Sequence, residues 1–347
     1  METVKMVFPK KHWTKGNPEE FGFTRESLNL IDEKMKQAEA NGVLVQNGYL
    51  LAEWCYAGLP EKTVEVQSCT KSITSMLLGL AVQDGLIPGI DARVKDYWPD
   101  FETGPYTDKI TFRHLVTMTS GISAGEPFVN PLEYVDPGNM EPGKEYHYTN
   151  SQPIALACAL TCLYGRKLED VIKEKVLKVI GTEDGFEWWT GGQARSPQKI
   201  VTARGKEVPV NIGSWGSHWT ARDLARVGLL YLNKGMWEGQ RVLDEQFVEE
   251  SLTDIPYKIN EWRRGTWLEM QPRTEADLAK LGYGLGWWTT RRDITKVWNM
   301  GGNGGQFCML LPEYGVIMTK INGYTKRPFV NKDEFVSIIE KTKGRFS

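Results

Sequence analysis

Residues 68–71 read Ser68-Cys69-Thr70-Lys71, and an apolar run at helical spacing follows directly: Ile73, Met76, Leu77, Leu80 and Ala81. Residues three apart on a helix share a face, about one turn apart. A lysine in this S-x-x-K register therefore holds its amine against the serine hydroxyl. A serine hydroxyl is a weak nucleophile until an adjacent base takes its proton. The tetrad thus points to acyl transfer without a histidine base. A pattern with two fixed positions arises often by chance, so its weight rests on the rest of the chain.

At 347 residues the chain is long enough for one or two domains with a large core. It is 41% hydrophobic and 25% charged, as ordinary soluble domains are. A formal net charge of −2 gives no reason to expect a nucleic-acid or anionic-membrane partner. The apolar stretches, such as Ile154 to Cys162, fall far short of the roughly 20 residues needed to span a bilayer. Met1 to Phe8 shows neither the apolar segment nor the small-residue cleavage site of a secretory signal, so a cytoplasmic protein or a processed mature form is expected. Cys55, Cys69, Cys158, Cys162 and Cys308 read as small buried side chains in a reducing compartment. His12, His114, His147 and His218 lie outside metal-ligand spacing of one another, and no metal is expected.

Residues 1–19 read as a polar, surface-hugging arm. Thr24 to Ala40 has helical spacing behind a threonine cap. Gly42 to Gly58 reads as strand, tight turn at Gly48, and strand. Helices are expected over 71–85, 111–120, 151–164 and 220–233, then strands over 284–289, 294–299, 306–311 and 315–322, and a closing helix over 333–343. Strands at both ends of the chain then share one antiparallel sheet, with a helical lobe between them. Residues 190–215 and 255–282 are the most loop-like. Trp188, Trp189, Trp215 and Trp219 lie there and nearby, and read as packing before they read as a pocket.

Two further stretches carry chemistry. Tyr148-Thr149-Asn150 precedes the 151–164 helix. Beside a lysine ammonium a phenolate is favoured, so serine, lysine and tyrosine can share one mobile proton. Asn150 is suited to fix the lysine and to donate to a substrate carbonyl, or simply to cap the helix. The run Met300-Gly301-Gly302-Asn303-Gly304-Gly305-Gln306 lies between two strand-like segments. Its glycines suit either a hairpin turn or a backbone N–H placed at a developing oxyanion. Gly121-Ile122-Ser123-Ala124-Gly125 matches G-x-S-x-G, but that motif needs a strand before it and a helix after it. Here a helix-like run precedes it and Glu126-Pro127 follows.

Together, S-x-x-K, Y-x-N and a glycine-rich third motif resemble the serine β-lactamase-like hydrolases over about residues 20–325. The likeness is to the class C branch, with its D-alanyl-D-alanine carboxypeptidases, D-aminopeptidases, family VIII carboxylesterases and 6-aminohexanoate-dimer hydrolases. Ile110-Thr111-Phe112-Arg113-His114-Leu115-Val116-Thr117-Met118-Thr119-Ser120-Gly121 is similar to that family's ITxRHLLTHTSG segment, and Thr220 to Arg226 and Tyr283 to Trp287 look familial too. The resemblance implies an α+β, two-lobed fold of the β-lactamase/penicillin-binding-protein transpeptidase type. The sheet lobe would comprise about 20–65 and 283–345, the helical lobe about 86–282, with the nucleophile helix 68–85 between them. It implies Ser68 as acylated nucleophile, Lys71 and Tyr148 as its activators, and Asn150 orienting Lys71. The backbone N–H groups of Ser68 and Asn303 would form the oxyanion hole, and Met300, Gly301 and Gly302 would line the substrate site. No cofactor is implied.

The third motif departs from the family. Where β-lactamases carry K-T-G and related peptidases H-x-G, this chain has Met300-Gly301-Gly302. A methionine does not bind a substrate carboxylate, and nothing in the sequence brings Arg291 or Arg292 to replace that cation. The expectation is a neutral small ester or amide substrate. Alternatives are D-aminopeptidase or β-lactamase-type hydrolysis, acyl transfer to an acceptor other than water, and a catalytically silent binding protein on the same fold.

Overall fold

The computed structural model describes residues 6–124, 135–136, 140–182, 185–191, 199–202, 204–256, 279–292, 295–323 and 330–344. Helix α1 (Arg25–Gln37) starts where Thr24 Oγ1 accepts from Ser27 N at 3.1 Å. Strands β1 (Asn41–Gln46) and β2 (Tyr49–Cys55) form a hairpin whose turn residues, Asn47 and Gly48, both take positive φ, of 49° and 83°. Short β3 (Val64–Glu65) leads into a 3-10 turn, Gln67–Cys69, and then α2 (Thr70–Gln83).

The late strands are β5 (Leu281–Tyr283), β6 (Trp288–Arg291), β7 (Lys296–Gly302), β8 (Gln306–Leu311) and β9 (Val316–Lys320). β4 (Ser217–Trp219) lies earlier and pairs with β3. The main sheet runs β5-β6-β7-β8-β9-β1-β2, and every pairing in it is antiparallel. The two ends of the chain therefore meet at β9 and β1, as the strand order suggested.

Each face of the sheet buries a separate core. On one face, α1 and the final helix (Lys332–Thr342) cover Leu44, Phe307, Met309 and Met318 with Ile31, Met35 and Phe335. On the other lie α2 and α5 (Ala221–Leu232), with α3 (Phe112–Val116) and α4 (Ser151–Tyr164) behind α2. Residues 221–232 fall in the stretch assigned to the helical lobe, yet they pack on the sheet. Gly228 allows this, since a Cβ there would meet Cys308 Sγ at 2.9 Å. α2 is apolar on nearly all sides because it runs through the middle of this core.

Three elements differ from the sequence reading. Of the expected strand 284–289, only Trp288 and Thr289 are extended, as the start of β6; 284–287 form the turn between β5 and β6, with Gly286 at φ 78°. Ser72 Oγ and Ser75 Oγ donate to Gly286 O and Leu285 O, each at 2.6 Å, and draw that turn onto α2. The helix expected over 111–120 spans only 112–116, ending before Met118, whose φ is 61°. β7 continues through Gly301 and Gly302, which pair with Phe307 and Gln306. Glycine composition read as loop, but cross-strand pairing holds these residues extended. Ile294, the expected start of that strand, lies outside the described residues. Among the described residues, no helix is long and apolar enough to cross a membrane.

The N-terminal arm lies against the body as expected. Val7 N donates to Asn47 O and Gly16 N to Leu50 O, both at 3.0 Å. Arg226, fully buried on α5, fastens it: Nη1 donates to Pro9 O, Lys10 O and Ile180 O, and Nη2 to Lys11 O. Arg226→Ala strands those carbonyls and removes the cation beside Asp223. Its expected cost is about 3–5 kcal/mol in urea unfolding, with new tryptic cleavage at Lys10 and Lys11.

Candidate active site

The 3-10 turn and the first turn of α2 place Ser68 and Lys71 on one face. Lys71 Nζ lies 2.7 Å from Ser68 Oγ. It also donates to Asn150 Oδ1 at 2.8 Å and to Ser214 O at 3.2 Å. Lys71 is only 3% exposed, and burial pushes its pKa down to about 7. A neutral amine has two N–H groups and one lone pair. As an ammonium Lys71 Nζ donates to Ser68 Oγ as well; once neutral, its two N–H groups match the two carbonyl oxygens and its lone pair is left for the Ser68 hydroxyl.

The Tyr148 loop is held from beneath. Gln152 Nε2 donates to His147 O at 2.7 Å, Gln152 Oε1 accepts from Ser120 N at 3.0 Å, and His147 N donates to Met118 O at 2.8 Å. Asn150 occupies the N-cap position of α4 without capping it, because its side chain is committed to Lys71. Tyr148 is buried, 4.9 Å from Lys71 Nζ at its ring centroid, and its side chain hydrogen-bonds with Ser68 and Trp288. Burial pushes the phenol above its ordinary value against those two hydrogen bonds. The expected phenolate is thus disfavoured: the same dryness that raises the pKa of the tyrosine lowers that of the lysine.

The end of β7 lies against the turn that carries Ser68. A Cβ on Gly302 would sit 2.3 Å from Val66 O, so only glycine permits this approach. Gly304 and Gly305 follow with φ of 81° and 74°. Asn303, in this turn, accepts from Gly304 N through Oδ1 at 2.9 Å. Gln67, before Ser68, takes a φ of 52°, and Glu65 Oε1 accepts from its N–H at 2.9 Å and from Gly216 N at 2.7 Å. Burial of Glu65 raises its pKa despite these donors.

Some residues singled out in the sequence lie elsewhere. Met300 is fully buried in the core cluster that also holds Cys69, Ile73 and Cys308, so its side chain lies behind the site and offers a substrate no surface. Gly301 is partly exposed, and a Cβ there would meet Asn299 Nδ2 at 3.1 Å and Trp288 Cδ1 at 3.5 Å. Arg291 is tied to Asp254, and Arg292 to Glu340 at 2.9 Å. Ser123 lies within a two-residue strand, Ser123–Ala124, not on a strand-to-helix turn. Trp188 and Trp219 are core, while Trp189 is 38% exposed beside His218. Cys69, Cys158 and Cys308 are buried, but Cys55 is exposed. Sequence reasoning missed Trp288, Ser214 and Glu65. Ser214 contributes a main-chain carbonyl, which residue type does not reveal.

The beta-lactamase family model matches residues 30–334. The chain belongs to the beta-lactamase family. Its fold is that of solved structures at low identity. A D-stereospecific amidohydrolase from Streptomyces sp. is 18% identical, with 91% of this chain and 99% of that one covered and a TM-score of 0.63. A penicillin binding protein from Bacillus halodurans is 16% identical, with 89% and 98% covered and a TM-score of 0.62. A class C beta-lactamase mutant is 15% identical, with 92% and 98% covered and a TM-score of 0.63.

In this beta-lactamase family member, Lys71 is expected to titrate with a midpoint about 7, followed by the 15N shift of its amine against a Lys71→Arg control. A midpoint at the ordinary lysine value near 10.4 would contradict the desolvation argument.

Proposed function

We propose that the protein is a serine hydrolase that cleaves a small neutral ester or amide through an acyl-enzyme on Ser68. The observation that carries this reading is the buried Lys71 amine, 2.7 Å from Ser68 Oγ, with Asn150 Oδ1 and Ser214 O as acceptors for its two N–H groups once it is neutral. The Ser68 oxygen attacks the substrate carbonyl as its proton passes to Lys71. The N–H groups of Ser68 and Asn303 receive the carbonyl oxygen as it becomes negative. Collapse of the tetrahedral species expels the alcohol or amine, which takes a proton relayed from Lys71 through the neutral Tyr148 phenol. Water then attacks the ester on Ser68 by the same route in reverse, and Ser68 regains its proton. The site would lie in the cleft between a sheet lobe and a helical lobe.

The neutral-substrate reading is supported by the third motif. Met300 is buried, and Arg291 and Arg292 are held by carboxylates. The likeness to a D-stereospecific amidohydrolase keeps amides beside esters. The free cysteines, four of them partly or fully buried, agree with a cytoplasmic setting.

Ser68→Ala is expected to lower kcat for p-nitrophenyl butyrate by at least about 10³-fold, and equal rates in the two proteins would sink the reading. Because neutral Lys71 is the base, kcat/KM should rise with pH through about 7 and level off above it. Nitrocefin should be a poor substrate; turnover as fast as that of the ester would refute the reading of the third motif.

A further inference from the structure

Two backbone N–H groups form a working oxyanion hole only if their separation is held. Here they sit on segments far apart in sequence, the turn at Ser68 and the loop at Asn303. One buried side chain bridges both. Gln306 is 1% exposed. Its Nε2 donates to Glu65 O at 2.9 Å and to Asn303 O at 3.4 Å. Its Oε1 accepts from Asn322 N at 3.4 Å and from Gly323 N at 3.3 Å. Its own carbonyl lies 3.8 Å from Cys69 Sγ, beside the nucleophile. The amide orientation is dictated by its partners, since two carbonyls need a donor and two N–H groups need an acceptor.

We propose that Gln306 is a positioning residue that sets the spacing between the Ser68 and Asn303 N–H groups. It touches no reacting atom. It ties the residue three before Ser68 to the carbonyl of Asn303, and anchors both to Asn322 and Gly323, just past the end of β9. This rests on the reading of Ser68 as nucleophile. No other natural side chain of this length presents a neutral donor and acceptor together. Glutamate would aim a carboxylate at two carbonyl oxygens, and methionine fills the space without any of the four hydrogen bonds.

The test uses the full chain and the isosteric Gln306→Met. Ser68 labelling by a fluorophosphonate in the wild type is read first. No labelling overturns the serine-hydrolase reading, and the brace with it. With a labelled wild type, Gln306→Met is expected to lose about 10²-fold in kcat while KM changes less than about 3-fold. Affinity for a phenylboronic acid, whose tetrahedral adduct on serine mimics the oxyanion, should fall by a similar factor. The pH limb about 7 should stay in place, because Lys71 does not touch Gln306. Unchanged kcat, or a loss of kcat with unchanged boronate affinity, overturns the brace and leaves the hydrolase reading standing. If Gln306→Met does not fold, Gln306→Asn keeps the amide one methylene short of Glu65, and the same outcomes decide.

Discussion

Burial of one amine, that of Lys71, is the constraint on which the proposed chemistry depends. Moving Lys71 out of water disfavours its ammonium form, and this outweighs the opposing pull of Cys69 and Glu65. The surroundings of Lys71 offer carbonyl acceptors, from Asn150 and Ser214, which satisfy N–H groups without demanding a full positive charge. The same dryness keeps Tyr148 protonated. One physical cause, desolvation, thus acts on two neighbouring groups in opposite senses, lowering the pKa of the amine and raising that of the phenol.

That arrangement depends on the sheet reaching the start of α2. β7 lies against the turn that carries Ser68 because Gly302 has no Cβ to collide with Val66 O. The turn itself is held in an uncommon conformation at Gln67, where Glu65 accepts from the backbone N–H. From the other side, Ser72 and Ser75 pull the Leu285–Gly286 turn onto the same helix. α2 is therefore clamped by polar contacts around its N-terminal half and by apolar packing along its length.

Much of the fold was legible because its elements are long and strongly patterned. α1, α2, α4, α5, β8 and the Asn47–Gly48 hairpin carry their own caps, turns and periodicity. The misreadings share one cause. Gly284 to Trp287 and Met300 to Gly302 are short apolar or glycine-rich runs, where composition does not say at which residue hairpin pairing stops and the turn begins. Of the candidate site, Ser68, Lys71, Tyr148 and Asn150, which the fold brings together, were legible because side-chain type and spacing announce them. Trp288 and Ser214 were not, since one is an ordinary strand tryptophan and the other acts through its carbonyl.

By itself, the sequence determined which reactive groups exist and which segments carry them: the serine–lysine register is a property of one helical turn, and helical geometry is local. Tertiary structure decided their electrical state and surroundings. Whether Lys71 is charged, whether Met300 faces a substrate or the core, and whether Arg291 and Arg292 are free all depend on what packs around them. Solvation and long-range contact are properties of the assembled chain, so a reading of types and spacings supplied the parts of the site and the fold supplied their protonation and reach.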